Sequence, residues 1–309
     1  MNWKIKAFMQ NCIASFPETL SRKMYFQMQR YLGRSRKNIN PWEHFFSNCF
    51  KMLQKMNQYG PGIKGKNFFE VGTGQVPLLP VALWLCGAEK IVTTDLKPYM
   101  RKELIKDMLF FCKNQKNEME KAFGELLDKE RFNLLLNYNE KNILELCKIE
   151  YIAPGDAATT NLPEKSIHYH VSHTVYEHIP INVLHDILEE GNRILTEDGL
   201  FINFIDYSDH FSHTDKNISR INFLRYSDRE WEKYAGNQYM YANRARHDQF
   251  VELFKNVGHD FLEIEFHSEK EIEEMLKTNS ITLDDKFKNK SIEILSITGS
   301  WFITKKFLI

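Results

Sequence analysis

The segment Phe68-Phe69-Glu70-Val71-Gly72-Thr73-Gly74-Gln75 restricts the fold more than any other stretch of this chain. Apolar residues run into an acid and then a pair of glycines, the pattern of a buried strand that ends in a tight turn into a helix. Glycines in such a turn let the backbone approach a ligand closely at the carboxyl end of a strand, where open α/β sheets bind nucleotides. Alone, these eight residues also suit a purely structural turn. Twenty-five residues after Glu70, Ile91-Val92-Thr93-Thr94-Asp95-Leu96 again ends a β-type run on an acid. A carboxylate at that place can accept both hydroxyls of a ribose. A third run ends Pro154-Gly155-Asp156-Ala157, where Asp156 either accepts from an adenine amino group or closes an Asx turn. The fourth reads Ser166-Ile-His-Tyr-His-Val-Ser-His-Thr-Val-Tyr-Glu-His-Ile179.

Strands are predicted at 67–71, 90–95, 149–153, 167–173 and 200–206, with helices at about 77–86, 99–113 and 181–195. That alternation is the signature of a mostly parallel sheet with helices on both faces. Ser227 and Glu230 are spaced as a capping box at the start of a further helix, and another is predicted near 246–256. Two late β-rich runs, 260–267 and 292–304, are expected to form a hairpin-like pair, with helix 269–279 between them. A charged helical stretch, 116–146, reads as an insertion bounded at about 112–148. Residues 1–66 read as a helical cap and 67–309 as one catalytic domain, seven strands in all.

Taken together and in this order, the motifs resemble the class I S-adenosylmethionine-dependent methyltransferases. Glu70 to Gly74 is similar to their first motif, Asp95 to the ribose acid, Asp156-Ala157 to the adenine-side motif, and Ser172 to Ile179 to their fourth-strand segment. The likeness covers 67–206 by motif and continues to the C-terminus by element order. Val76 stands where a third glycine is common, and Asp95 to Asp156 is longer than a bare crossover. The resemblance implies a Rossmann-like methyltransferase fold with S-adenosyl-L-methionine held by Glu70, Gly72, Thr73, Gly74, Asp95, Leu96, Asp156, Ala157 and Ser172. An NAD(P)-dependent oxidoreductase shares the glycine turn and second-strand acid, but its fingerprint wants glycine where Pro77 stands. A SAM-binding scaffold without catalysis is the other alternative.

Methyl transfer from a sulfonium is a direct displacement, so the protein must align the acceptor and, for a hydroxyl, remove its proton. Histidines cluster where the fourth and fifth strands end, and His210, His173 and Tyr176 are the candidates, with His210 favoured as base and Asp206 or Asp209 orienting it. The spacing of His210 and His213, with an Asp, also fits metal ligation, although no metal is assigned. His168 and His170 alternate with apolar residues and read as satisfied strand histidines. Arg225, Asn243, Arg244 and Arg246 are candidate substrate contacts, since guanidinium forks suit carboxylate or phosphate. An Asp-His after strand five and a later Asn-Arg-x-Arg are similar to bacterial methyltransferases of surface-polysaccharide synthesis. The expected acceptor is a small molecule or saccharide, and O-methylation the expected reaction.

Lys+Arg and Asp+Glu both total 41, which argues against general nucleic-acid binding. The neutrality is divided, however: residues 1–66 carry twelve Lys/Arg against Glu18 and Glu43, leaving 29 basic and 39 acidic side chains to the rest. The basic cap is expected to lie as a lid on its own body, then, in falling preference, on a second copy in a homodimer, or on an anionic membrane through Trp3, Ile5, Phe8 and Phe16. Cys12, Cys49, Cys86, Cys112 and Cys147 show no ligand or disulfide spacing, and no apolar run reaches the ~20 residues of a membrane span. A cytoplasmic protein with reduced thiols is expected.

Overall fold

The computed structural model describes residues 1–32, 42–138 and 142–307. Arg34, Arg36, Lys37 and Pro41 of the basic cap lie outside the described residues, as does the side chain of Phe45. Helices α1 (Trp3–Ala14), α2 (Glu18–Leu32) and α3 (Trp42–Tyr59) precede β1 (Asn67–Val71), and α4 (Leu78–Leu85) leads to β2 (Lys90–Thr94). Four helices, α5 (Lys102–Asn114), α6 (Lys116–Phe123), α7 (Lys129–Leu136) and α8 (Ile143–Leu146), fill the passage to β3 (Ile149–Ile152). Then come β4 (Ile167–His173), α9 (Ile181–Ile194), β5 (Leu195–Asp206), α10 (Asp228–Ala235) and α11 (His247–Asn256). The chain closes with β6 (His259–Ser268), α12 (Lys270–Lys277), α13 (Asp285–Lys288), α14 (Ile292–Ser296) and β7 (Ile297–Lys306).

The strands form one sheet in the order β3-β2-β1-β4-β5-β7-β6. The five strands from β3 to β5 are parallel, and β7 enters antiparallel between β5 and β6. This is the Rossmann-like class I methyltransferase fold, α/β with helices on both faces. Side-chain alternation builds the two faces: Phe68, Leu200 and Ile202 point to one core, Phe69, Phe201 and Ile205 to the other. The longest apolar run of the sequence becomes α4, every residue of which is buried and all but Pro80 part of the first core. Among the described residues no helix is long and apolar enough to cross a membrane.

Several boundaries differ from the sequence reading. Residues 292–296 are helix instead of strand, because Ser291 caps them by accepting from the Ile294 amide at 3.2 Å. β6 and β7 pair antiparallel through three intervening helices and so are no hairpin. The insertion breaks at Gly124, whose φ of +55° ends α6, and restarts where Asp128 accepts from the amides of Glu130 and Arg131. The Ser227–Glu230 capping box is present at α10.

The cap is fastened to its own body. Phe46, Met52, Leu53 and Met56 of α3 belong to the first core, and the Tyr169 hydroxyl on β4 donates to the Gly62 carbonyl at 2.8 Å. Lys55 pairs with Glu263 and Glu265 on β6 at 2.5 and 2.9 Å, Lys51 with Glu265 at 2.5 Å, and Arg30 with Asp107 at 2.6 Å. The opposed charges of cap and body thus meet within one chain. Ile5, Phe8 and Phe16 are exposed, but Trp3, read as part of the same membrane-facing set, is buried among Phe211, Tyr226, Trp231 and Tyr234. Its amide donates to Asp215 at 2.8 Å. Trp3→Ala therefore removes a large buried ring, a change worth about 3–5 kcal/mol in a core. The expected result is loss of hydrogen-exchange protection across α1, with protection of β1 and β4 retained.

Candidate active site

β1, β2, β4 and β5 run parallel, so their carboxyl ends share one edge of the sheet, and the connection order reverses between β1 and β4. That edge is where open α/β folds bind ligands. Gly72 has φ +84°, donates to the Thr94 carbonyl at 2.8 Å, and a Cβ there would lie 2.5 Å from Val175 Cγ2. Only glycine lets the turn lie so close to the loop after β4. Gly74 has φ +70° with open space where a Cβ would stand. Its amide donates to the Asp95 carboxylate at 3.0 Å, and the Tyr151 hydroxyl donates to the same carboxylate at 3.0 Å. Asp95 thereby ties the ends of β1, β2 and β3 together beneath an open cradle.

Glu70 is buried and accepts from Thr93 at 2.6 Å and Thr73 at 3.0 Å; the two threonine hydroxyls also contact each other. Burial pushes Glu70 up to about 7 against the pull of those hydroxyls. Asp95 also rises to about 7, through burial and the neighbouring Glu70 charge, opposed by Tyr151 and Gly74. Leu96 stands exposed beside Asp95, and Ser172 is buried, its hydroxyl without a partner among the described residues. Ala157 packs in the second core, while Asp156 is exposed and accepts from the Ala158 amide at 2.9 Å. That bond is the Asx turn anticipated for Asp156.

At the ends of β4 and β5 lies a second cluster. His210 Nε2 stands 3.5 Å from Asp206 Oδ2, and His213 Nε2 stands 3.9 Å from the same oxygen. Asp206 is held well below the usual carboxylate range: burial opposes this, but His210 and Ser208 outweigh it. The His178 ring meets His210 edge-on at 4.9 Å, and its Nδ1 donates to the Tyr241 carbonyl at 2.7 Å. Burial and the adjacent His210 push His178 down to about 4, so it is a neutral imidazole. Glu177, beside it, is buried and pushed well above the ordinary carboxylate value, by burial and by the Asp206 charge. A cavity opens beside His213, walled by Ser212, Lys216, Arg220 and Glu269.

The structure separates these groups from several other candidates. Asp209 caps the helical turn His210–His213, accepting from the Phe211 amide at 2.8 Å and from Asn222 at 3.0 Å, so Asp206 is the acid next to His210. Tyr176 turns its ring into the second core against Phe254, away from the cluster. His173 lies between Phe204 and Trp301. His170 is not a satisfied strand histidine: it is buried between Phe69 and Phe201 with neither nitrogen hydrogen-bonded among the described residues, whereas His168 accepts from the Asn67 amide at 3.1 Å.

The arginines are also used differently from the sequence reading. Arg246 is fully buried and donates to the carbonyls of Tyr207, Leu295 and Ile297 at 2.7, 3.0 and 2.5 Å. Arg244, buried and at φ +57°, donates to the Phe223 and Tyr226 carbonyls at 2.8 and 2.7 Å and pairs with Asp228. Asn243 donates to the carbonyls of Tyr176 and Ile179, both at 2.8 Å. These three residues brace the backbone, with the Asn243 amide and the terminal nitrogens of both guanidinium groups committed to it or, at Arg244, also to Asp228, while Arg225 is exposed on the surface. Asn243 does hold the loop that carries Glu177 and His178. Glu177 and His178 join the Asp206–His210 cluster without being among the site candidates of the sequence, although they stand as an acid-histidine pair in the turn after β4.

No protein-family profile matches the chain, and no curated protein matches it. Among solved structures, the chain is similar to a phosphoethanolamine N-methyltransferase 2 of Haemonchus contortus, solved with phosphomonomethylethanolamine and S-adenosylhomocysteine. That match has 14% identity over 94% of this chain and 58% of the other, with a TM-score of 0.49. A protein of Pyrococcus horikoshii matches at 15% identity over 92% and 99% of the two chains, TM-score 0.49. A geranyl diphosphate methyltransferase solved with SAM matches at 8% over 88% and 93%, TM-score 0.46. These likenesses concern the fold.

Proposed function

We propose that the protein is an S-adenosylmethionine-dependent methyltransferase acting on a hydroxyl of a small polar or saccharide-type acceptor. The observation that carries this reading is the pairing, along one sheet edge, of an open glycine cradle on Asp95 with the Asp206–His210 cluster at the ends of β4 and β5. The residues present fit a nucleoside-bearing cofactor: Asp95 offers acceptors for ribose hydroxyls, Gly72 and Gly74 keep the turn bare, and Leu96 lies exposed next to them. When bound, the cofactor supplies an electrophilic methyl group.

The chain's own part is to orient the acceptor and handle its proton. His210, steadied by Asp206, is the residue assigned to activating the acceptor hydroxyl; in its simplest form the imidazole accepts the proton. The cavity beside His213 carries Lys216, Arg220 and Glu269, charges of both signs that suit a polar acceptor better than a hydrocarbon. Five unpaired cysteines suit a reducing compartment, and we place the protein in the cytoplasm. Incubation with cofactor labelled in the methyl group and a pool of saccharides and small polyols tests the activity. Label is expected in a base-stable ether; label only in amines would overturn O-methylation, and no transfer to any acceptor would favour a binding scaffold.

A further inference from the structure

The Glu177 carboxylate is buried at 4% exposure, and neither oxygen has a hydrogen-bond partner among the described residues. The amides of Glu177 and Asp206 lean toward it without reaching hydrogen-bond geometry. A buried carboxyl with no partner is costly, and buried charges are retained where they pair or coordinate metal. One of its oxygens lies within 4.8 Å of a ring nitrogen of His178 and of one of His210, and those two nitrogens are equally close to each other. The Tyr241 carbonyl holds the proton on His178 Nδ1, which leaves the Nε2 lone pair for a ligand. Asp206 takes the Nε2 side of His210, which leaves Nδ1.

We propose that Glu177, His178 and His210 form a binding site for a divalent transition-metal ion, with Asp206 and the Tyr241 carbonyl as outer supports. Two imidazoles and a carboxylate favour zinc, iron or manganese over magnesium, which prefers an all-oxygen shell, and three protein ligands leave a position open. Carboxylate or carbonyl partners on the far ring nitrogens are the usual second layer of such sites. Ionised Glu177 and Asp206 together balance a dication. Ligands at about 2.1 Å from a common ion stand at most ~4.2 Å apart, so closing on the ion needs only a small inward movement of the rings. The consequence for catalysis rests on the methyl-transfer reading. A hydroxyl bound at the open position is acidified and releases its proton to solvent, with His210 serving as ligand in place of base. Binding itself does not depend on that reading.

The test is calorimetric titration of the full chain, stripped with EDTA, with zinc chloride, manganese chloride and magnesium chloride. One equivalent of zinc or manganese is expected to bind at micromolar concentration or tighter, with magnesium much weaker. Glu177→Gln should weaken zinc by more than about 100-fold, beyond the roughly 10- to 100-fold that outer-layer changes cost. Because Gln matches the neutral carboxyl in shape, the metal-free melting temperature should stay, while the upward shift caused by zinc should vanish. His185→Ala, in the exposed trio with Asp186 and Glu189 on α9, should leave binding unchanged. No uptake, uptake unaltered by Glu177→Gln, or uptake lost with His185→Ala would each overturn the proposal. S-adenosylhomocysteine titrated into the same EDTA-stripped protein keeps the two readings apart: if it binds and zinc does not, only the metal site falls.

Discussion

His210→Ala should lower turnover by about two to four orders of magnitude and leave S-adenosylhomocysteine affinity unchanged. The split follows from where the residue stands. His210 lies at the end of β5 with Asp206 behind it and His178 against its face, whereas the cradle of Gly72, Gly74 and Asp95 is built by β1 and β2. Asp206→Asn should give a smaller loss, since it leaves the imidazole present but no longer steadied by a charge. Steady-state rates with saturating cofactor, set beside calorimetry on the same preparations, measure both quantities. Full activity in His210→Ala would remove the residue from the mechanism. A parallel loss of cofactor affinity would mean that the two halves of the edge are one structural unit.

The second large effect is at Asp95. Two ribose hydroxyls donating to a charged acceptor are each worth about 1.5–3 kcal/mol, so Asp95→Ala should weaken S-adenosylhomocysteine by about 100-fold or more. The pH dependence is sharper evidence. Asp95 and Glu70 are both pushed up to about 7 by burial, above the values they take in an unfolded chain. The folded state therefore holds more protons, so the stability these groups contribute is present below about pH 4 and is lost as pH rises through 7. Cofactor binding runs the other way, because an ionised Asp95 accepts both hydroxyls and a protonated one has given up an acceptor. Affinity should fall up to about tenfold per pH unit below 7. A flat profile between pH 5.5 and 8 would show that Asp95 does not receive the ribose.

What the sequence makes legible here is local. The run from Phe68 to Gly74 has one sensible conformation, and the structure holds Gly72 and Gly74 in the left-handed region that their identities anticipate. Asp95 follows from the end of an uninterrupted β-type run, and the Ser227 capping box from spacing alone. The misread positions depend on partners far along the chain. Asp209 is adjacent to His210 in sequence and Asp206 four residues away, yet the Phe211 amide and Asn222, thirteen residues on from Asp209, hold Asp209 as a cap and leave Asp206 beside the imidazole. Arg244 and Arg246 look like surface forks until the carbonyls of Phe223, Tyr207 and Leu295 are folded against them. Glu177 is the same case reversed: its chemical interest comes from burial without a partner, a property that no spacing rule encodes.

The division of charge likewise acquires a physical sense only in three dimensions. The basic cap carries Lys51 and Lys55 on the helix that packs its apolar side into the sheet core, and the acids it meets, Glu263 and Glu265, lie on β6. A second protein or a membrane is not required to balance these charges, although Ile5, Phe8 and Phe16 stay exposed on the outer side.

Whether the cradle at the ends of β1 and β2 takes S-adenosylmethionine is read by calorimetry at pH 8 with S-adenosylhomocysteine and, separately, NADH. One site per chain with micromolar affinity for S-adenosylhomocysteine, lost in Asp95→Ala, and no heat from NADH are expected. Tight NADH binding with none for S-adenosylhomocysteine would contradict that assignment.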